Sequence, residues 1–128
     1  MALRPVKAKK TKTKDRYFHY VVMCNESQIV IQKRIEKDIW QHLYQFPMTE
    51  TGSSNPPSEL HFGLNIKNAL SISEEHIHIL SHQKIHARFY KFPLLDRGLN
   101  EEFKVVNFID LKEYPLPRLI DRFLEKEY

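Results

Sequence analysis

The chain has a single cysteine, Cys24, in 128 residues. No internal disulfide framework, thiolate zinc site or iron–sulfur cluster can be built from one thiol, so a reducing compartment, by default the cytoplasm, is expected. There is no apolar run of about eighteen residues, which leaves no candidate membrane-spanning helix. The opening Met-Ala-Leu-Arg-Pro-Val, followed by lysines, lacks the apolar centre of a secretory signal. Internal repeats are also missing. What remains, with 41% hydrophobic residues and mixed charge, fits one globular domain with a modest core.

The net charge of +4 is unevenly spread. Residues 1–16 hold seven Lys or Arg against Asp15, so residues 17–128 carry a net −2. Affinity for duplex DNA grows with the number of phosphates neutralised. The body by itself is therefore expected to hold DNA weakly, with another domain supplying most of the grip. Residues 1–15 have no hydrophobic periodicity and read as a flexible basic connector; residues 16–128 read as the domain. The lysines of the connector are either a solvated tether or a DNA contact.

Within the domain, Tyr17 to Cys24 and Gln28 to Arg34 are rich in β-branched and aromatic residues, with Asn25-Glu26-Ser27 a turn between them. Ile39 to Pro47 is a dense aromatic stretch that reads as a further strand. Even spacing would place Trp40, Tyr44 and Phe46 on one face, as core residues or as platforms for stacked bases. Thr49 to Ser58 carries loop chemistry. Residues 58–70 suggest one or two short helices, with Ser58 a possible cap and Gly63 an interruption. Ile77–Leu80 and Ile85–Phe92 read as two strands around Ser81-His82. A turn at Leu95–Gly98 and a strand at Phe103–Val106 follow. The clearest helix is the last: Pro117 suits its first position, and Leu116, Leu119, Ile120, Phe123 and Leu124 form one stripe. Together these elements predict an α+β domain, an α/β/α sandwich with a mixed β-sheet and a C-terminal helix.

Four ordered stretches carry a resemblance: Ile29-Val30-Ile31-Gln32-Lys33-Arg34, Ile39 to Pro47, Leu80-Ser81-His82-Gln83-Lys84-Ile85-His86, and Tyr114-Pro115-Leu116-Pro117-Arg118-Leu119-Ile120. In that order and spacing the chain resembles the C-terminal domain of MutY-type A/G-specific adenine DNA glycosylases across roughly residues 16–124. The resemblance implies a Nudix-like fold related to the MutT hydrolases, and a role in base-excision repair. It implies a partner, double-stranded DNA holding 8-oxoguanine opposite adenine, and a second partner, the enzyme's own N-terminal catalytic domain. That N-terminal portion carries the family's catalytic acids, helix–hairpin–helix and iron–sulfur cluster, none of which is in this chain. No cofactor, catalytic residue or metal ligand is expected here, and the chain alone should release no adenine. A bacterial, nucleoid-associated location follows from the same likeness. Three positions depart from the family pattern. Leu80 stands where the family has Phe before Ser-His, His42 where it has Gly, and Tyr44 where Trp is common.

By this resemblance Leu80, Ser81 and His82 are the DNA- and lesion-binding residues. Oxidation converts the guanine N7 from an acceptor to an N–H donor and adds an oxygen at C8. A serine hydroxyl can accept or donate, so Ser81 can answer the altered edge; the other role open to it is a turn serine bonded to its own backbone. His82 would orient the loop or touch a phosphate, and Leu80 would wedge beside the lesion. Arg34 reads as a buttress held by an internal ion pair. His76, His78, His82 and His86 invite a zinc reading, but no carboxylate pair at ligand spacing supports it beyond Glu74-Glu75. A Nudix hydrolase needs a glutamate-rich box, and the nearest string, Arg97 to Glu102, lacks the Glu after Arg. The remaining alternative is a protein-interaction module on a degenerate Nudix fold.

Overall fold

The computed structural model describes residues 13–94 and 101–127. Its centre is a pair of long parallel strands, β1 (Lys14–Cys24) and β7 (Gln83–Pro93), in register from Lys14 opposite Gln83 to Cys24 opposite Pro93. Parallel strands have both faces covered and read as nearly continuous apolar runs. Residues 18–24 of β1 are accordingly all buried.

The other strands fill the two flanks of this pair. Beyond β1, its C-terminal end meets β2 (Gln28–Lys33), and its first half meets β4 (Met48–Thr51). β2 in turn pairs with β3 (Tyr44–Gln45) and β8 (Phe103–Asn107). Beyond β7 lie β5 (Ser71–Ile72) and β6 (His76–Ile79), both antiparallel to it. The β1–β2 turn is set by Asn25, whose side chain accepts from the backbone N–H groups of Ser27 and Gln28 at 2.8 and 2.7 Å, as an Asx turn does.

Strand alternation divides the core in two. Phe18, Tyr20, Val22, Ile29, Ile31, Ile85, Ala87 and Phe89 face α1 (Arg118–Glu127), which contributes Leu119, Ile120 and Phe123. Val21, Met23, Val30, Tyr90 and Phe92 face the opposite way, under Leu60, Phe62, Leu64 and Ile66. The mixed sheet and C-terminal helix are as the sequence predicts. The second outer layer differs: the middle segment forms two 3-10 turns, His61–Gly63 and Ile66–Asn68, instead of α-helix. Phe62 and Gly63 both take positive φ, 65° and 67°, which breaks the i to i+4 ladder there. Asn65, not Ser58, supplies a cap, its side chain accepting from the Lys67 N–H at 2.8 Å.

Other expectations shift at their edges. β1 starts at Lys14, taking up two residues assigned to the connector, because their backbone pairs with Gln83 and Lys84. Residues 1–12 lie outside the described residues, as does the turn expected at Leu95–Gly98. The loop expected from Thr49 loses its first three residues to β4, which pairs with β1. The strand expected over Ile39 to Pro47 shrinks to Tyr44–Gln45. Trp40 and His42 have φ of 59° and 73°, so Ile39–His42 is a tight turn in which the Leu43 N–H donates to the Trp40 carbonyl at 3.0 Å. The aromatics still serve the core: Phe46 is fully buried, and Trp40 and Tyr44 pack against the same cluster. They reach it from a turn and a short strand, not from one strand face.

Two stability predictions follow from this packing. Phe123 stacks on Phe89 with ring centroids 3.9 Å apart and planes 12° apart, so Phe123→Ala should cost about 3–5 kcal/mol in urea denaturation. His42 holds a left-handed conformation that suits glycine; His42→Gly should raise stability by about 0.5–1 kcal/mol in the same assay.

Candidate nucleic-acid interface

β6 and β7 form a hairpin with Ser81 and His82 at its tip. The Leu80 N–H donates to the Gln83 carbonyl at 2.8 Å, which closes the turn. Neither tip residue takes positive φ, so this is not the primed turn common in tight hairpins. The His82 carbonyl accepts from the Lys14 N–H at 3.0 Å, tying the tip to the start of β1. Ser81 and His82 are exposed, whereas Leu80 is half-buried against the α1-side core. The Ser81 hydroxyl makes no hydrogen bond among the described residues. The hairpin thus brings the three residues together, but it presents the serine and the histidine outward and turns the leucine inward.

An ion network that the sequence does not announce steadies this hairpin. Arg16 lies on the β1 face that carries Phe18, and its guanidinium sits 5.0 Å from that ring centroid. It donates to Asp38 at 2.9 Å, to Glu50 at 2.8 and 2.9 Å, and to the Gln83 side chain at 3.0 Å. One side chain therefore joins β1, the 35–43 turn, β4 and the residue after His82. Arg34 closes the group with an ion pair to Asp38 at 2.9 Å and a bond to Gln45 at 3.1 Å, the buttress expected of it. The hydrogen bond from Arg16 is the main cause that holds the Asp38 carboxyl down to about 2. In sequence Arg16 looks like the last residue of a basic tail; only strand alternation with Phe18 and Tyr20 marks it. A cavity of about 460 Å³ opens beside this network, lined by Arg34, Gln45, Met48, Glu50 and Glu101 among others. No residue of the hairpin tip lines it.

The histidines separate onto two faces of the sheet. His76 meets the edges of Phe89 and Phe123, and His78 meets the edge of Trp40 at 5.8 Å. His86 is on the other face, stacked on Tyr17 at 4.6 Å. No group of three or more His, Cys, Asp or Glu among the described residues is placed to hold a metal ion. The second face also holds His19, fully buried. Its ring nitrogens lie 2.8 Å from the Tyr90 hydroxyl and 2.8 Å from the Thr51 hydroxyl, and burial lowers its pKa. Glu101 and Glu102 sit in a turn; the rest of the candidate glutamate box, 97–100, lies outside the described residues. The segment Ser58–Leu70, which covers the second face, holds one carboxylate, Glu59.

Residues 19–126 match the NUDIX domain family. The chain belongs to that family. Its fold is similar to that of the C-terminal domain of mouse MUTYH, solved in complex with human PCNA. That likeness has a TM-score of 0.65 at 13% identity and covers 86% of this chain and 85% of that one. It is similar also to the MutT protein from Methanosarcina mazei Go1, with a TM-score of 0.64 at 16% identity, over 91% and 95% of the two chains. At these identities the likeness concerns the fold. No curated protein sequence matches the chain. No helix among the described residues is long and apolar enough to cross a membrane.

His86 gives this NUDIX domain a pH-dependent tie across its sheet. Its Nε2 lies 2.9 Å from Asp15 and its Nδ1 3.2 Å from Glu75. Partial burial opposes its charge, but the two carboxylates outweigh this and raise its pKa. A raised folded pKa gives stability that is full below the unfolded value, about 6.5, and is lost as pH rises through the folded value. The stability difference between wild type and His86→Gln should therefore shrink between about pH 5.5 and pH 8. Chemical denaturation across that range checks it, and a constant difference would remove the carboxylate tie as its source.

Proposed function

We propose that this NUDIX domain reads 8-oxoguanine opposite adenine in duplex DNA on behalf of an adenine DNA glycosylase. The observation that carries the reading is the exposed Ser81 at the hairpin tip, with a hydroxyl free to form new hydrogen bonds. It is supported by the ordered resemblance of four sequence stretches to MutY-type C-terminal domains and by a fold shared with the C-terminal domain of mouse MUTYH.

Recognition would rest on complementarity with the altered purine edge. An undamaged guanine offers an acceptor at N7; its oxidised form offers a donor there and an acceptor at C8. The Ser81 hydroxyl can accept from N7–H, and backbone N–H groups at the tip can serve the C8 oxygen. His82, exposed beside it, suits a phosphate or a base edge. Leu80 is anchored in the core and would set the height of the tip more than it would wedge. Excision itself would belong to a catalytic domain carried elsewhere in the enzyme, acting on the flipped adenine of the opposite strand. Diphosphate hydrolysis has little support, because the clustered glutamates it needs to hold metal are lacking in the sequence.

A protein partner is the second reading, favoured by one observation. A groove of about 760 Å³ runs between α1 and the 3-10 turn Phe108–Glu113, and it is lined by Phe108, Ile109, Leu116 and Leu124 among others. The mouse MUTYH domain was itself solved bound to a protein.

Fluorescence anisotropy should find tighter binding to a duplex with 8-oxoguanine opposite adenine than to one with guanine opposite adenine. Ser81→Ala should reduce that preference about 2- to 10-fold, the range set by one net hydrogen bond. An unchanged preference would take Ser81 out of the role. Equal binding of both duplexes by wild type would end the lesion-reading proposal.

A further inference from the structure

Two of the domain's arginines, Arg118 and Arg122, stand on an exposed face of α1 that also carries Asp121 and Glu125. α1 runs antiparallel to β6, as three contacts along its length show. Lys126 near its C-terminus pairs with Glu74, Phe123 meets His76 at 6.0 Å, and the charges of Arg122 and Arg118 act on His78. The N-terminal end of α1 therefore lies toward the hairpin tip, where Leu116 and Leu80 pack on one core.

Arg118 and Arg122 stand four residues apart, so they share one face of the helix. Both are exposed, and neither makes an ion pair or side-chain hydrogen bond among the described residues. Burial, with help from these two charges, lowers the His78 pKa. Asp121 and Glu125 stand three residues after Arg118 and Arg122, and the Arg118 charge acts on Asp121, but no ion pair joins either carboxylate to an arginine among the described residues. Arg16 and Arg34 offer a contrast, since both are held by carboxylates and are unavailable to an outside anion. Beyond the tip, the exposed Lys14 is fixed by its backbone bond to His82. The positive end of the α1 dipole adds to the field at the same place.

We propose that Arg118 and Arg122 form a phosphate-contacting surface beside the Ser81-His82 hairpin, fitted to the backbone of one strand of a DNA duplex. The choice of duplex DNA rests on the lesion-reading proposal, but the contact differs in kind. Arginine–phosphate pairs position a protein on DNA without reading sequence, and they fit guanidinium geometry. The contacts would hold the tip against the helix while Ser81 tests the base.

The salt dependence of binding tests this separately from lesion preference. The 128-residue chain is titrated by anisotropy with undamaged and 8-oxoguanine duplexes between about 50 and 200 mM salt. The double variant Arg118→Ala/Arg122→Ala should lower the steepness of log affinity against log salt by about 1.8, equally on both duplexes. The double lysine variant should keep the wild-type slope, as should the control Lys67→Ala on the opposite layer. An unchanged slope in the double alanine variant, or no duplex binding by wild type at low salt, would overturn the proposal. A flattened slope with no lesion preference in wild type would retain the phosphate surface and discard the lesion reading. NMR titration of the wild-type chain with undamaged duplex guards against misfolding of the variants: the amides of His78, Arg118 and Arg122 should shift, and unmoved amides there would also overturn it.

Discussion

The parallel pairing of β1 with β7 is the constraint on which the rest of the domain depends. Eleven residues of each strand lie side by side, and each strand is flanked on its outer side by further strands over part of its length. Each has a face toward α1 and a face toward the 3-10 layer, which is why the domain has two apolar clusters. A parallel pair also needs a long connection, and here everything from Asn25 to His82 serves as that connection. The hairpin tip is its last turn, so the candidate reading residues sit at the point where the chain re-enters the central sheet.

That placement explains how an exposed two-residue tip can still be well positioned. Ser81 and His82 make no packing contribution of their own, but each neighbouring residue is tied down. Leu80 packs into the core, Lys14 bonds the His82 carbonyl, and Gln83 accepts from Arg16. Arg16 is in turn held by Asp38 and Glu50. A partly buried guanidinium with several carboxylate and amide partners fixes direction better than an isolated surface pair does. The polar network around Arg16 is thus structural support for a site at which it need not touch the ligand.

Charge is organised the same way. Arg16 and Arg34, which face the sheet, are held by carboxylates, whereas Arg118 and Arg122 on α1 form no ion pair among the described residues. A net charge computed over the chain sums these groups and hides the distinction. The family match and the likeness to the MUTYH and MutT folds fix the framework, and within one framework function rests on such local differences.

The sequence alone determined the strands with strong apolar or β-branched character, the Asn25 turn, the striped C-terminal helix and the hairpin around Ser81-His82, because local periodicity and turn chemistry are sufficient there. The Arg34 buttress could also be read from its place after a buried strand. Tertiary structure decided the rest. Trp40 and His42 adopt left-handed backbone that no local preference favours, since packing of Trp40 against the core and pairing of His42 with Arg34 outweigh the local cost. The 58–70 segment has helix-forming residues but is held as 3-10 turns on the sheet. Arg16 and Arg118 look alike in sequence; one is locked among carboxylates and the other makes no ion pair among the described residues, because partners such as Glu50 and Gln83 lie 34 and 67 residues from Arg16. Contacts across such separations depend on how strands are ordered in the sheet, and that order is a property of the whole chain.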